Sequence, residues 1–136
     1  DLKDIQSEEA RVISGAQFQY VKTQHGIECY AMKISDLGKT ICYTADTGPG
    51  TDWSDLGTDM DLLVIEGTYL NKDVPSGPRG HLSIAEAAQL ATNLKAKRCI
   101  ITHLYPMYDK EEIYKEAKSS YGGDLYLAEV GLEVEV

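Results

Sequence analysis

The chain reads as a run of short strands followed by strands and helices in alternation. Residues 16–22 (Ala-Gln-Phe-Gln-Tyr-Val-Lys) and 28–35 have strand character, and Tyr30, Met32 and Ile34 share one face of the second at period two. Asp36-Leu37-Gly38 supplies a turn into a third strand, Lys39 to Thr44, which makes a β-hairpin. Residues 47–60 are loop. Asp61 to Glu66 is a short apolar run of the kind buried on both faces. After a Pro- and Gly-rich loop at 70–80, Ser83 and Glu86 form a capping-box pattern. The helix they open carries Ile84, Ala87, Ala88, Ala91 and Leu94 as one apolar stripe. A strand from Arg98 to Thr102 follows, then a helix opened by Asp109 and Glu112, with Ile113 and Ala117 inward. Two strands are predicted to close the chain, the last alternating Leu132, Val134 and Val136 against Glu133 and Glu135.

This rhythm predicts an α/β architecture, a mixed sheet with helices packed on one face. Such a sheet keeps an apolar second face, which needs another layer. The chain is therefore expected to self-associate as a homo-oligomer or to be covered by a partner. The first ten residues are polar and carry no strong pattern, and the sequence opens at Asp1 without a methionine, so a preceding segment is expected.

The 136 residues are enough for one domain with a real core. There are 22 acidic residues against 13 basic, a net charge of −9. That balance argues against broad, non-specific nucleic-acid binding, which depends on Lys and Arg. It leaves open an anionic substrate, because a bound metal ion reverses the local sign. No apolar run is long enough for a transmembrane helix. Cys29, Cys42 and Cys99 sit in apolar strand-like surroundings, so small buried hydrophobes in a reducing cytoplasm are expected rather than a disulfide framework.

The chain has three histidines, His25, His81 and His103. His25, His103 and Asp46 each come just after a predicted strand, and Glu66 closes another. Open α/β sheets gather functional groups beyond the carboxyl ends of their strands. Imidazole and carboxylate are the usual ligands of zinc and similar ions. Any one of these residues taken singly is as readily a solvated or capping group; it is their joint placement that points to a metal centre.

These residues also carry a family resemblance. Thr23-Gln24-His25-Gly26-Ile27-Glu28-Cys29-Tyr30-Ala31 resembles the strand-end His and hairpin of metallo-β-lactamase-fold hydrolases. Tyr43-Thr44-Ala45-Asp46-Thr47-Gly48-Pro49 is similar to their Gly-Asp-Thr motif, with Ala45 in place of the glycine. Asp61-Leu62-Leu63-Val64-Ile65-Glu66-Gly67-Thr68-Tyr69 resembles the His-Glu-Ala-Thr motif of the ribonuclease Z-like branch, with Ile65 and Gly67 in place of His and Ala. Gly80-His81-Leu82-Ser83, followed by Glu86-Ala87-Ala88, is similar to that branch's second catalytic histidine and its helix. Ile100-Ile101-Thr102-His103-Leu104 resembles the Thr-His pair that carries the last metal ligand. The likeness covers roughly residues 20–136. It implies that residues 1–136 are the C-terminal half of one αββα sandwich domain. Residues 1–136 do not contain the family's His-x-His-x-Asp-His motif, which the resemblance places in an N-terminal half expected outside them.

The resemblance further implies two divalent ions, zinc foremost and manganese as the alternative. His25 would complete one site, His103 the other, and Asp46 would bridge them. His81 would be the general acid, charged and oriented by Glu66, and Arg79 is the best-placed cation for a phosphate. The implied reaction is hydrolysis of a phosphodiester, in a small molecule, a nucleotide or RNA, by hydroxide generated at the metals. Only twenty residues separate His25 from Asp46, which leaves no room for the long tRNA-binding arm of typical bacterial ribonuclease Z. Two alternatives stay open: a hydrolase of another ester, lactone or thioester class, and a non-catalytic binding or assembly module that keeps the fold. The fragment alone is expected to be inactive.

Overall fold

The computed structural model describes residues 10–136; the polar opening, residues 1–9, lies outside the described residues. Strands β1 (Arg11–Ile13), β2 (Ala16–Lys22), β3 (Tyr30–Asp36) and β4 (Lys39–Tyr43) form an antiparallel meander. The two-residue turn between β3 and β4 has positive φ at both Leu37 and Gly38, the turn geometry that matches strand twist. Strands β5 (Leu62–Glu66), β6 (Arg98–Thr102) and β7 (Asp124–Leu127) extend the same sheet in parallel, in sequence order. Helix α1 (Ile84–Asn93) crosses from β5 to β6, and α2 (Lys110–Lys118) crosses from β6 to β7. Crossovers of one hand that step the same way put both helices on one face. There α1 packs on α2, β5 and β6.

The two helix starts follow the sequence. Ser83 Oγ accepts from Glu86 N at 3.2 Å, and Glu86 Oε2 accepts from Ser83 N at 2.8 Å, closing the capping box of α1. Asp109 caps α2 by accepting from the backbone of Glu111 and Glu112. Ile84, Ala87, Ala88, Ala91 and Leu94 are buried as their spacing predicts. They meet Ala31, Cys42, Leu63, Ile65, Cys99 and Ile101 from the sheet in one core. Burial pushes the Cys42 and Cys99 thiols up to about 12, so they behave as apolar filler; all three cysteines are free.

One predicted element is absent. Residues 132–136 form no strand. Ala128 N still donates to Ile101 O, but Leu132 N then bonds back to Glu129 O, and this turn carries the chain away from the ladder. Alternate residues there are half-buried, so the pattern reflects one-sided burial without strand pairing. The short β1 is an addition to the predicted set; three residues are too few to show a period.

Pleat alternation puts the other half of each strand on the face away from the helices. Register makes two rows of it, Phe18–Ile34–Ile41–Leu62 and Tyr20–Met32–Tyr43–Val64–Ile100–Tyr126. Most of these side chains are half-buried, and Tyr43 is 44% exposed. An apolar face of this extent exposed to water is expected to find cover. Residues 1–136 expressed alone should therefore self-associate with concentration and bind a hydrophobic dye, as read by light scattering and dye fluorescence. A dye-silent monomer at high concentration would show that the face needs no second layer.

Candidate metal centre

Strand direction collects the chemistry on one rim. β3 runs against both its neighbours, so β2 points the same way as β4, β5 and β6. The carboxyl ends of β2, β4, β5 and β6 thus lie together, and His25, Asp46, Glu66 and His103 stand at or just past those ends. His81 enters from the segment that leads into α1. Asp61, which precedes β5, lies at the opposite rim, bound to Thr40 N and Lys97 Nζ.

Each side chain is aimed by its loop. Thr23 closes the turn after β2, its N–H on Cys29 O and its hydroxyl on Asp46 O at 2.7 Å. Gln24 ties that turn to the Asp46 loop: its N donates to Thr51 Oγ1, and its Oε1 accepts from Gly50 N. A side chain at Gly48 would collide with the Arg79 carbonyl, and one at Gly80 would come within 2.8 Å of His25 Nδ1. Ala45 (φ 52°) and His103 (φ 55°) are both left-handed, so sharp turns aim Asp46 and His103. The first explains why a glycine suits the position of Ala45. Gly67 has a packing cause as well, since a Cβ there would press into Ile101 and Ile84.

The two Asp46 oxygens face different histidines. Oδ2 lies 3.7 Å from His25 Nε2, and Oδ1 lies 4.0 Å from His103 Nε2. Both separations are too long for a hydrogen bond. They suit two ligands of one ion, which sit roughly 3–4 Å apart when each metal–ligand bond is about 2.0–2.2 Å. The donor set, two imidazoles and a carboxylate with one oxygen for each, fits a pair of divalent ions. His81 lies between the other rings, 4.9 Å from His25 edge-on and 5.0 Å from His103 in a stack.

Hydrogen bonding sets the tautomers. His25 Nδ1 lies 3.0 Å from the Gly80 carbonyl, which only accepts, so His25 carries its proton on Nδ1 and offers Nε2. Glu66 is 1% exposed and takes four contacts. Oε1 accepts from Thr47 N at 3.1 Å and His81 Nδ1 at 2.8 Å, while Oε2 accepts from Thr68 Oγ1 at 3.0 Å and Leu82 N at 3.2 Å. Four donors fill a carboxylate. Glu66 is therefore not free to ligate, although its oxygens, His81 and His103 lie close enough together to hold an ion. Because Thr68 gives its only proton to Glu66, it must accept from His103 Nδ1, 2.8 Å away. That leaves His103 Nε2 for a ligand. One buried carboxylate thus orients two histidines, one directly and one through a hydroxyl.

Thr68 lies inside the resembling motif, but the sequence assigns it no role; neither do the Gly80 carbonyl and the Thr47 and Leu82 amides show themselves there. A backbone group has no sequence signature, and a lone threonine has only a weak one. Arg79 lines a cavity of about 210 Å³ with Gln24, His25, Gly26, Pro78 and Gly80. Its guanidinium is engaged, Nε with His81 O at 3.2 Å and Nη2 with Glu86. Trp53 packs against the core, and the Tyr69 ring lies 6.4 Å from His81.

The profile of the β-lactamase superfamily domain matches residues 4–104. The chain is 34% identical over 113 residues to the probable metallo-hydrolase YhfI of Bacillus subtilis (strain 168), spanning 82% of this chain and 46% of that protein. It is 30% identical over 102 residues to ribonuclease Z of Haloferax volcanii, spanning 73% of this chain and 32% of that one. The crystal structure of the metallo-β-lactamase fold protein YhfI superposes with a TM-score of 0.85 at 28% identity, over 94% of this chain and 52% of that chain. The chain thus spans about half the length, or less, of these relatives.

Proposed function

The chain belongs to the β-lactamase superfamily, and from that premise we propose that it is the C-terminal half of a di-metal hydrolase of phosphodiesters, akin to ribonuclease Z. One ion would be held by His25 and Asp46 and the other by Asp46 and His103, with zinc the first candidate and manganese the second. The N-terminal half of the domain would contribute the remaining ligands. Bound there, the ions would supply a nucleophile from water near neutral pH and polarise the scissile group.

The observation that carries the phosphodiester reading is the His81–Glu66 pair, 2.8 Å apart and beside the Asp46 cluster. Glu66 keeps a proton on His81 Nδ1, so the proton available for transfer is the one on Nε2. The buried carboxylate thereby fixes which ring nitrogen faces the Asp46 cluster. A poor alkoxide leaving group needs that proton; a thiolate needs it far less. Arg79 has five N–H groups and two are engaged, so the others remain for a phosphate oxygen. The charge of −9 disfavours long electrostatic contact with nucleic acid, so a small diester or a locally gripped RNA end suits the site.

The test compares residues 1–136 with the longer protein. Two protein ligands for each ion fall short of the usual three or four, so the fragment should bind zinc weakly and cleave no bis(p-nitrophenyl) phosphate. The longer protein should retain zinc through dialysis and cleave the diester. A zinc-loaded longer protein that opens a thioester or lactone and leaves diesters intact would overturn the substrate class. Loss of zinc binding in both would favour an assembly module that keeps the fold.

A further inference from the structure

Residues 79–81 touch both halves of the site. The Gly80 carbonyl accepts from His25 Nδ1, His81 Nδ1 donates to Glu66, and the Arg79 carbonyl lies against Gly48 beside Asp46. Yet the chain leading into this segment is weakly held, exposed from Pro75 to Pro78 and rich in Gly and Pro. Residues whose positions matter to a fraction of an ångström therefore follow directly on an exposed loop.

The Arg79 side chain returns to its own segment, Nε donating to the His81 carbonyl, and its Nη2 pairs with Glu86. Only 16% of the Arg79 side chain is exposed. Glu86 in turn belongs to the frame. Its second oxygen accepts from Ser83 N in the capping box of α1, and α1 rests on β5 and β6, the strands that end in Glu66 and lead to His103. Partial burial pushes the Glu86 carboxyl up, but the Arg79 guanidinium and the Ser83 amide outweigh it and hold the group below the usual carboxylate range.

We infer that Arg79 and Glu86 form a latch that fastens residues 79–81 to helix α1, and that this pair positions both the His81 imidazole and the His25 ring. Glu86 is thus a positioning residue, and Arg79 is one in addition to any contact with phosphate. The inference rests on the reading of His81 as general acid for its kinetic consequence, but not for its structural one. A planar fork is required, because Nε and Nη2 reach two acceptors on different elements and a lysine ammonium on a flexible stem does not.

The experiment uses the zinc-loaded longer protein with Glu86→Gln, Arg79→Met, Arg79→Lys and the double variant Glu86→Gln/Arg79→Met. Glutamine keeps the capping box, so α1 should stay folded while the charge pair is lost. Each single variant should lower kcat on a dinucleoside phosphodiester by about 10–100-fold, the usual effect of an outer-shell partner, with a smaller change in KM. The loss should be much smaller with bis(p-nitrophenyl) phosphate. The double variant should be no worse than the singles, since either change opens the latch, and Arg79→Lys should not restore activity. Nitrogen-edited proton spectra should show slowly exchanging Nδ1 protons of His25 and His81 in the parent protein and fast exchange in every variant. Glu86→Gln with parental kcat and unchanged histidine signals would overturn the latch. So would Arg79→Met raising KM alone with Arg79→Lys rescuing it, the signature of a phosphate ligand and nothing more. If the parent protein cleaves neither diester, the phosphodiester reading has failed, and the histidine protons decide the latch by themselves.

Discussion

Replacing His81 by alanine in the longer protein is expected to lower hydrolysis of an unactivated phosphodiester by about 10²–10⁴-fold while leaving zinc content nearly unchanged. The separation of the two effects follows from the hydrogen bonds. His25 and His103 each have Nδ1 committed and Nε2 facing one oxygen of Asp46, so the ligands this chain would give the ions do not include His81. His81 differs, with its Nδ1 bound to a buried carboxylate that three other donors hold in place, an arrangement that fixes the direction of the ring. Geometry alone does not make the distinction, because His81 has a nitrogen close enough to His25 and Asp46 to share an ion with them. The leaving group makes it. A nitrophenolate departs without a proton, so His81→Ala should cost little on bis(p-nitrophenyl) phosphate. Loss of zinc, or equal damage on both substrates, would move His81 into the ligand set.

The polar positions of this site were legible because secondary structure sorts them. His25, Asp46, Glu66 and His103 each end or follow a strand, and the parallel sense of β2, β4, β5 and β6 then forces them onto one rim. The α1 stripe and its capping box were legible for the same reason, since local spacing and local burial agree there. Where pattern and pairing part company, the sequence misleads: Leu132, Val134 and Val136 alternate without a strand beside them. What stays hidden is the layer that aims the histidines. Thr68 matters through the direction of one hydroxyl proton, and Gly80 through a carbonyl that every residue possesses. Arg79 illustrates the same limit: a cation near a candidate site reads as a phosphate ligand, and only the coordinates show it gripped by Glu86 and His81 O.

Asp46 should respond in the opposite manner to His81. Its two oxygens address different histidines, so Asp46→Asn leaves one oxygen and places an amide NH₂, which cannot ligate, toward either His25 or His103. The side chain keeps its size, and Thr23 still holds the Asp46 backbone carbonyl, so the fold should survive. The expected result is a fall in zinc from two ions to about one per protein, measured by atomic emission after dialysis. Activity should fall with it by roughly 10³-fold or more, since losing one ion removes several kcal/mol of charge stabilisation. This loss should be alike for a dinucleoside phosphodiester and for bis(p-nitrophenyl) phosphate, because both pass through the same charged phosphoryl centre whatever the leaving group. Two ions retained in Asp46→Asn would show that Asp46 does not bridge. One ion retained with near-parental activity would mean that a single site suffices, and the division of His25 and His103 between two ions would have to be given up.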